Sequence, residues 1–325
     1  MKNVYALQFT TSGRATISMK DKYYSKDLKL EYSYNGDDWD MWNLRGLNIN
    51  SGDTLYIRGN NPGGFSHGTT KYSSFVMNGT SVSCSGNIMS LIDYRKKNLD
   101  TIPCDYCFYG LFENCTILTT APELPAQRLA NFCYCKMFSE CYILKTAPEL
   151  PAKTLADYCY AFMFSGCTAL KTAPELPATK LANSCYYRML ECCTALTTAP
   201  ELPATELADS CYSNMFSGCT ALTTAPELPA TKLANSCYYR MFEYCTALTT
   251  APELPATILA DLCYSSMFRG CTSLTAKPEL PATKLAKDCY TDMFRGCASL
   301  KTKQKPPTIS LKEYFQSHLS SMLND

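Results

Sequence analysis

Twenty of the 325 residues are cysteine, and sixteen of them fall on two strict ladders. Cys115, Cys141, Cys167, Cys193, Cys219, Cys245, Cys271 and Cys297 recur every 26 residues, and Cys107, Cys133, Cys159, Cys185, Cys211, Cys237, Cys263 and Cys289 sit eight residues upstream of them. Thiols in such number suggest disulfides or a metal, but their spacing argues against both. C-x7-C is not a zinc spacing. Eight residues along a helix place the paired sulfurs ~12 Å apart. Rungs of adjacent coils lie ~5 Å apart with parallel Cβ vectors, whereas a disulfide brings its Cβ atoms to about 3.8 Å. The ladders therefore read as reduced, buried packing thiols. Cys84, Cys104, Cys135 and Cys192 stand off the ladders and are the candidates for special roles, although the Cys192-Cys193 pair reads as drift rather than as a redox site.

Carboxylates form a third column. Glu123, Glu149, Glu175, Glu201, Glu227, Glu253 and Glu279 share the same period. Carboxylates stacked ~5 Å apart repel unless compensated. The column is thus either a cation-binding stripe or acidic track, or a set of groups that are solvated, bonded to backbone amides or paired with Lys180, Lys232 and Lys284. A calcium-dependent rise in melting temperature separates these readings.

Tyrosine and arginine, the side chains enriched at binding hot spots, mark two coils that lie two repeats apart. Tyr187, Arg188 and Glu191 recur as Tyr239, Arg240 and Glu243, so the coils alternate in type with a 52-residue unit. This predicts two equivalent patches roughly 10 Å apart; the plainer reading is duplication of a coil pair. Arg188 and Glu191 are also spaced as an i,i+3 helix pair. Trp39 and Trp42 follow an Asn35-Gly36 turn signal. They either stack on sugars or pack in a hairpin core. His67 lies in a Gly-rich loop, and neither it nor His318 has a nucleophile or metal constellation nearby. No phosphate-binding or dinucleotide fingerprint is present. No catalytic residue and no cofactor is assigned, and the chain reads as a non-enzyme.

The columns require a repeat of eight 26-residue coils, C-Y-x-x-M-F-x-x-C-x-x-L-x-T-A-P-E-L-P-A-x-x-L-A-x-x. Apolar groups at i, i+1, i+4, i+5 and i+8 of the Cys-Tyr-x-x-Met-Phe-x-x-Cys half predict a helix of two to three turns. Asp157, Asn183, Asp209, Asn235 and Asp261 stand where they would cap it. Two prolines three apart keep the Ala-Pro-Glu-Leu-Pro-Ala half extended. One such coil cannot bury its apolar face alone, and stacking makes the core continuous.

The stretch Phe164-Ser165-Gly166-Cys167-Thr168-Ala169-Leu170, repeated in nearly every coil, resembles the BspA-like leucine-rich repeats of bacterial surface proteins over about residues 95–302. The resemblance implies an α+β solenoid acting as an adhesin or surface interaction protein.

The expected organisation is a small β-sandwich-like domain over 1–88, a leucine-rich-repeat solenoid over 89–302 and a capping helix over 303–325. Strand-like runs at Val4–Phe9, Ala15–Met19, Leu28–Tyr34, Thr54–Arg58 and Ser81–Ser85 support the first. The region around Trp39 loosely resembles the sialidase Asp-box but is one residue short, and that function is not carried over. Ser310 and Glu313 form a capping box ahead of amphipathic Leu311, Tyr314, Phe315, His318, Leu319, Met322 and Leu323; an oligomerisation helix is the alternative.

Thirty basic and 29 acidic residues nearly cancel, which speaks against wholesale phosphate neutralisation and hence against nucleic acid. No apolar run approaches the ~20 residues of a membrane span. Met1 to Phe9 shows no signal-peptide pattern. The cell surface or exterior, implied by the resemblance, thus stands against a virion or the cytoplasm. The expected function is a non-enzymatic interaction protein presenting its repeats to a protein or glycan on a cell surface, with a virion tail or fibre component as the alternative. A carbohydrate-active enzyme in the β-domain is a remote third reading.

Overall fold

Alternating apolar residues near the N-terminus pair into two largely antiparallel layers in the computed structural model, which describes residues 4–21 and 28–300. In chain order the strands are β1 (Leu7–Thr11), β2 (Arg14–Asp21), β3 (Leu30–Ser33), β4 (Asp40–Met41), β5 (Leu47–Asn50), β6 (Leu55–Gly59), β7 (Ser73–Gly79), β8 (Val82–Ser85) and β9 (Leu118–Thr120). One sheet runs β4-β3-β6-β1-β8-β9 and the other β5-β2-β7. Leu7, Phe9, Ile17, Ile49, Leu55, Ile57, Phe75 and Met77 fill the space between them.

The expected α+β class is corrected by the coils. Among the described residues there is no α-helix, and the one helical segment is a 3-10 turn at Ile88–Leu91. The capping helix over 303–325 lies outside the described residues. In place of a helix, each Cys-Tyr-x-x-Met-Phe-x-x-Cys segment is a chain of turns with a left-handed residue at every fourth position. In the second coil these are Phe132 (φ 56°), Lys136 (φ 57°) and Glu140 (φ 62°). Backbone bonding alternates accordingly. The N–H groups of Cys133, Cys135, Met137, Ser139 and Cys141 donate three residues back, to the carbonyls of Ala130, Phe132, Tyr134, Lys136 and Phe138. Those of Phe132, Tyr134, Lys136, Phe138 and Glu140 donate to Asp157, Cys159, Ala161, Met163 and Ser165 in the next coil. A helix would have kept its interior N–H groups within the coil. Both backbones bury i, i+1, i+4, i+5 and i+8, and this is why the pattern reads as helical. The turn signal was Gly166, Gly218, Gly270 and Gly296, each directly before a ladder cysteine and each at φ between 73° and 77°.

The extended half is tied less densely, since its prolines have no N–H to give. Neighbouring coils meet at isolated parallel bridges such as Thr146↔Thr172, Thr172↔Thr198 and Thr198↔Thr224.

Inside the stack, aromatic rings continue the backbone ladder. Phe108, Tyr134, Tyr160, Tyr186, Tyr212, Tyr238, Tyr264 and Tyr290 stack nearly parallel at 5.6–5.9 Å between centroids. The phenylalanine column runs alongside, interrupted once by Leu190. Both columns start in the sandwich. Phe65 stacks on Phe108 at 5.9 Å, Phe75 on Phe112 at 4.9 Å, and Trp42 on Phe75 at 6.2 Å. Strand β8 pairs in parallel with β9 of the first coil. The N–H groups of Phe65, Phe75 and Val82 donate to the carbonyls of Cys107, Leu111 and Ile117. The sandwich thus supplies the surface on which the first coil builds, and one apolar core runs from Leu7 to Met293.

The residues expected as helix caps bond between coils instead. Asp157 Oδ1 accepts the Asn183 N–H at 2.9 Å, Asp209 Oδ1 that of Asn235 at 3.0 Å, and Asn235 Oδ1 that of Asp261 at 3.3 Å. The column reads Asp105, Asn131, Asp157, Asn183, Asp209, Asn235, Asp261, so no carboxylate adjoins another. Asn235→Asp would set three in a row. Like-charge neighbours raise carboxyl pKa values above those of the unfolded chain. The variant is therefore expected to match wild type at pH 3, where the added group is protonated, and to lose about 1 kcal/mol as pH rises through ~4 at low salt. Denaturant unfolding at both pH values, with and without added salt, measures this.

Candidate functional site

Turn residues that do not enter the core face outward and tile one side of the stack. Coils carrying Tyr187, Arg188, Glu191 and Tyr239, Arg240, Glu243 alternate with coils carrying mostly small residues at the same positions. Ser213, Asn214, Ser217, Ser265 and Ser266 are all buried, forming a floor between the larger side chains. The 52-residue alternation is therefore a packing arrangement as well as a sequence repeat. Large side chains also lean over glycine. A Cβ on Gly270 would lie 2.5 Å from Tyr244 Cδ1, and one on Gly218 would lie 3.0 Å from Cys192 Sγ.

The predicted Tyr-Arg-Glu sets come together as two similar units. Arg188 pairs with Glu191 at 3.3 Å, and its guanidinium lies 5.4 Å from the Tyr187 ring centroid and 5.7 Å from that of Phe162. Arg240 pairs with Glu243 at 3.7 Å and lies 4.9 Å from the Tyr239 centroid. Glu243, only 6% exposed, also meets Arg269 at 3.5 Å. Burial raises the Glu191 carboxyl above its usual range, while Arg188 and a hydrogen bond from Ser165 Oγ pull it down. The two arginines remain about one-third exposed. Each presents a cation over an aromatic ring, held in place by a carboxylate beside it.

Further along the face, Tyr106, Phe132 and Tyr158 stack at 4.5–4.6 Å. Tyr72 of the sandwich donates a hydrogen bond to Glu113 and packs edge-on against Tyr109 at 5.1 Å. Sequence spacing missed this row. Its signal was the residue directly before the upstream ladder cysteine, where Tyr106, Phe132 and Tyr158 of the early coils give way to Ser184, Ser210 and Ser236.

The remaining predicted residues lie elsewhere. Trp42 is 4% exposed in the sandwich core, where its Nε1 donates to the Arg45 carbonyl at 2.8 Å, so it offers no face to a sugar. Trp39 is half-buried beneath Arg58, whose guanidinium lies 3.7 Å from that ring and 4.0 Å from Tyr94 while pairing with Glu31 at 2.7 Å. Glu123, Glu149, Glu175, Glu201, Glu227, Glu253 and Glu279 are all exposed. Among the described residues, no three His, Cys, Asp or Glu side chains converge as a metal site. Lys180 pairs with Glu206 at 3.0 Å rather than with the column.

All twenty cysteines are free thiols. The downstream ladder does more than fill space. Cys141, Cys167, Cys193, Cys219, Cys245 and Cys271 each donate S–H to a carbonyl of the preceding coil at 3.0–3.2 Å. Burial pushes these thiols above their ordinary range. Cys84 and Cys135 are buried, Cys192 is exposed and Cys104 is half-buried.

No protein-family model, curated protein or solved structure matches this chain.

The tiling makes a directional prediction. Gly270 and Gly296 share nearly the same backbone (φ 73° and 77°), but a Cβ on Gly296 meets nothing nearer than 3.6 Å. Gly296→Ala is expected to cost only the left-handed penalty of about 1–2 kcal/mol, and Gly270→Ala about 1 kcal/mol more. Adding Tyr244→Ala should remove that excess, which a double-mutant cycle from denaturant melts measures.

Proposed function

We propose that the chain is a non-enzymatic interaction protein whose outward turn face engages a protein or glycan ligand. The observation that carries this reading is the paired Tyr187–Arg188–Glu191 and Tyr239–Arg240–Glu243 units. Each combines a partly exposed arginine, an aromatic ring and a buried or half-buried carboxylate. Ordering these groups before binding lowers the entropy lost on association, and Tyr and Arg are the side chains that dominate interface energies. Repetition along a rigid stack offers two equivalent contacts to one ligand, so modest affinities can combine. The non-enzymatic reading is supported by how most reactive side chains are used: the downstream ladder thiols donate to backbone carbonyls, and ladder tyrosines stack in the core. The sequence resemblance to BspA-like surface repeats fits an adhesive role and is part of the same proposal.

A glycan array and a pull-down with the full chain identify the ligand. Tyr239→Ala with Arg240→Ala is then expected to weaken its binding about tenfold or more, and adding Tyr187→Ala with Arg188→Ala to weaken it further. Melting curves establish that each variant remains folded. Unchanged affinity in the folded quadruple variant would remove this face from the function.

A further inference from the structure

We propose that Cys104 and Cys107 form a reactive dithiol, which exchanges with low-molecular-weight disulfides and closes to an intramolecular disulfide where the sandwich meets the first coil. The position itself is distinctive. In the other seven coils the residue three before the upstream ladder cysteine is alanine: Ala130, Ala156, Ala182, Ala208, Ala234, Ala260 and Ala286. Only the first coil places a second thiol there.

Geometry brings the two residues together. Residues 104–107 enclose a turn through Asp105 and Tyr106, with Tyr106 at φ 57°. The Cα atoms at the ends of such a turn lie within about 7 Å, the span a disulfide bridges. Cys104 Sγ and Cys107 Cα both lie against the same point over Gly64, at 3.0 and 2.7 Å.

Access is one-sided. Cys104 is half-buried and Cys107 is fully buried. The loop at Gly64 packs over the pair so closely that a Cβ there would lie 2.7 Å from Cys107 Cα and 3.0 Å from Cys104 Sγ. The Phe65 N–H holds that loop down through the Cys107 carbonyl at 2.7 Å. The neighbouring Cys107 thiol holds the Cys104 thiol below its ordinary value, whereas burial pushes Cys107 well above its own. Because Cys104 reaches solvent and Cys107 does not, Cys104 is the attacking thiol and Cys107 the resolving one.

With glutathione disulfide as oxidant, the Cys104 thiolate attacks one sulfur and forms a mixed disulfide. The departing glutathione thiolate takes up a proton. Cys107 then loses its proton and attacks Cys104 Sγ, expelling the second glutathione. Two protein thiols are oxidised to one disulfide, and one glutathione disulfide is reduced to two thiols.

Cys192 is the internal comparison. It is exposed, but burial of part of its side chain and the nearby Glu191 carboxylate raise its thiol. Its neighbour Cys193 donates into the core, to the Phe164 carbonyl at 3.2 Å.

The test treats the reduced full chain with glutathione disulfide at pH 7, quenches with acid, alkylates and maps the cysteines by fragment mass. Cys104 and Cys107 are expected to lose one hydrogen each and to resist alkylation, while Cys192 gains a glutathionyl group. Cys104 should react at least about tenfold faster than Cys192. Cys104→Ala, which installs the residue of the other seven coils, should abolish the internal disulfide without lowering the melting temperature. Cys107→Ala should trap glutathione on Cys104. Accumulation of glutathionylated Cys104 beside an alkylatable Cys107 in the wild-type chain overturns the proposal, as does a Cys104 rate no greater than that of Cys192.

Discussion

Alternate backbone N–H groups in each turn segment have their acceptor in the neighbouring coil. A single coil would leave those donors without protein partners, and burial makes an unpaired donor costly. The coil is consequently a unit only within the stack. The same dependence explains why the sandwich and the coils share a core. Phe65, Phe75 and Val82 offer rings and N–H groups at the positions a preceding coil would supply, so the first coil has a template on which to form.

Stacking at a fixed translation places identical residues beside one another, which suits some side chains and not others. Aromatic rings and leucines gain from it, and their columns are nearly uniform. Carboxylates lose by it. Where Asp side chains are tied to the backbone of the next coil and cannot move apart, Asp alternates with Asn; on the longer, exposed side chains of Glu149, Glu175 and Glu201, glutamate repeats. Bulk obeys the same rule on the outer face, where Tyr244 and Cys192 are followed one coil later by Gly270 and Gly218. Charge and volume thus each give a physical reason for the two-coil period, and the Tyr-Arg units are its exposed product.

Cysteine suits the interior rungs because it is small, apolar and still a donor. Its S–H reaches the carbonyl of the phenylalanine or leucine position in the preceding coil, adding a cross-coil contact that alanine cannot make. Raised thiol pKa values keep these rungs protonated, as that contact requires. Cys104 differs because a second thiol lies three residues further along its turn and because part of it reaches solvent.

The repeat, its period, its buried columns and its alternating coil types were all legible in the sequence, because every coil sees the same environment and each constraint is written eight times. The coil's backbone was not. Apolar residues at i, i+1, i+4, i+5 and i+8 fit one face of a helix and equally one face of a chain of four-residue turns. Only the bonds between coils, made by residues one repeat apart in sequence, decide for the turns. Glycine before four of the ladder cysteines was the local hint, outweighed by a periodicity that both backbones satisfy. Trp42 likewise could not be assigned from its neighbours, since its burial depends on Phe75, far along the chain in the opposite sheet. Local chemistry determined which residues repeat and which are buried; the contact between one coil and the next decided the conformation in which they do so, because every second backbone hydrogen bond of the turn segment belongs to that contact.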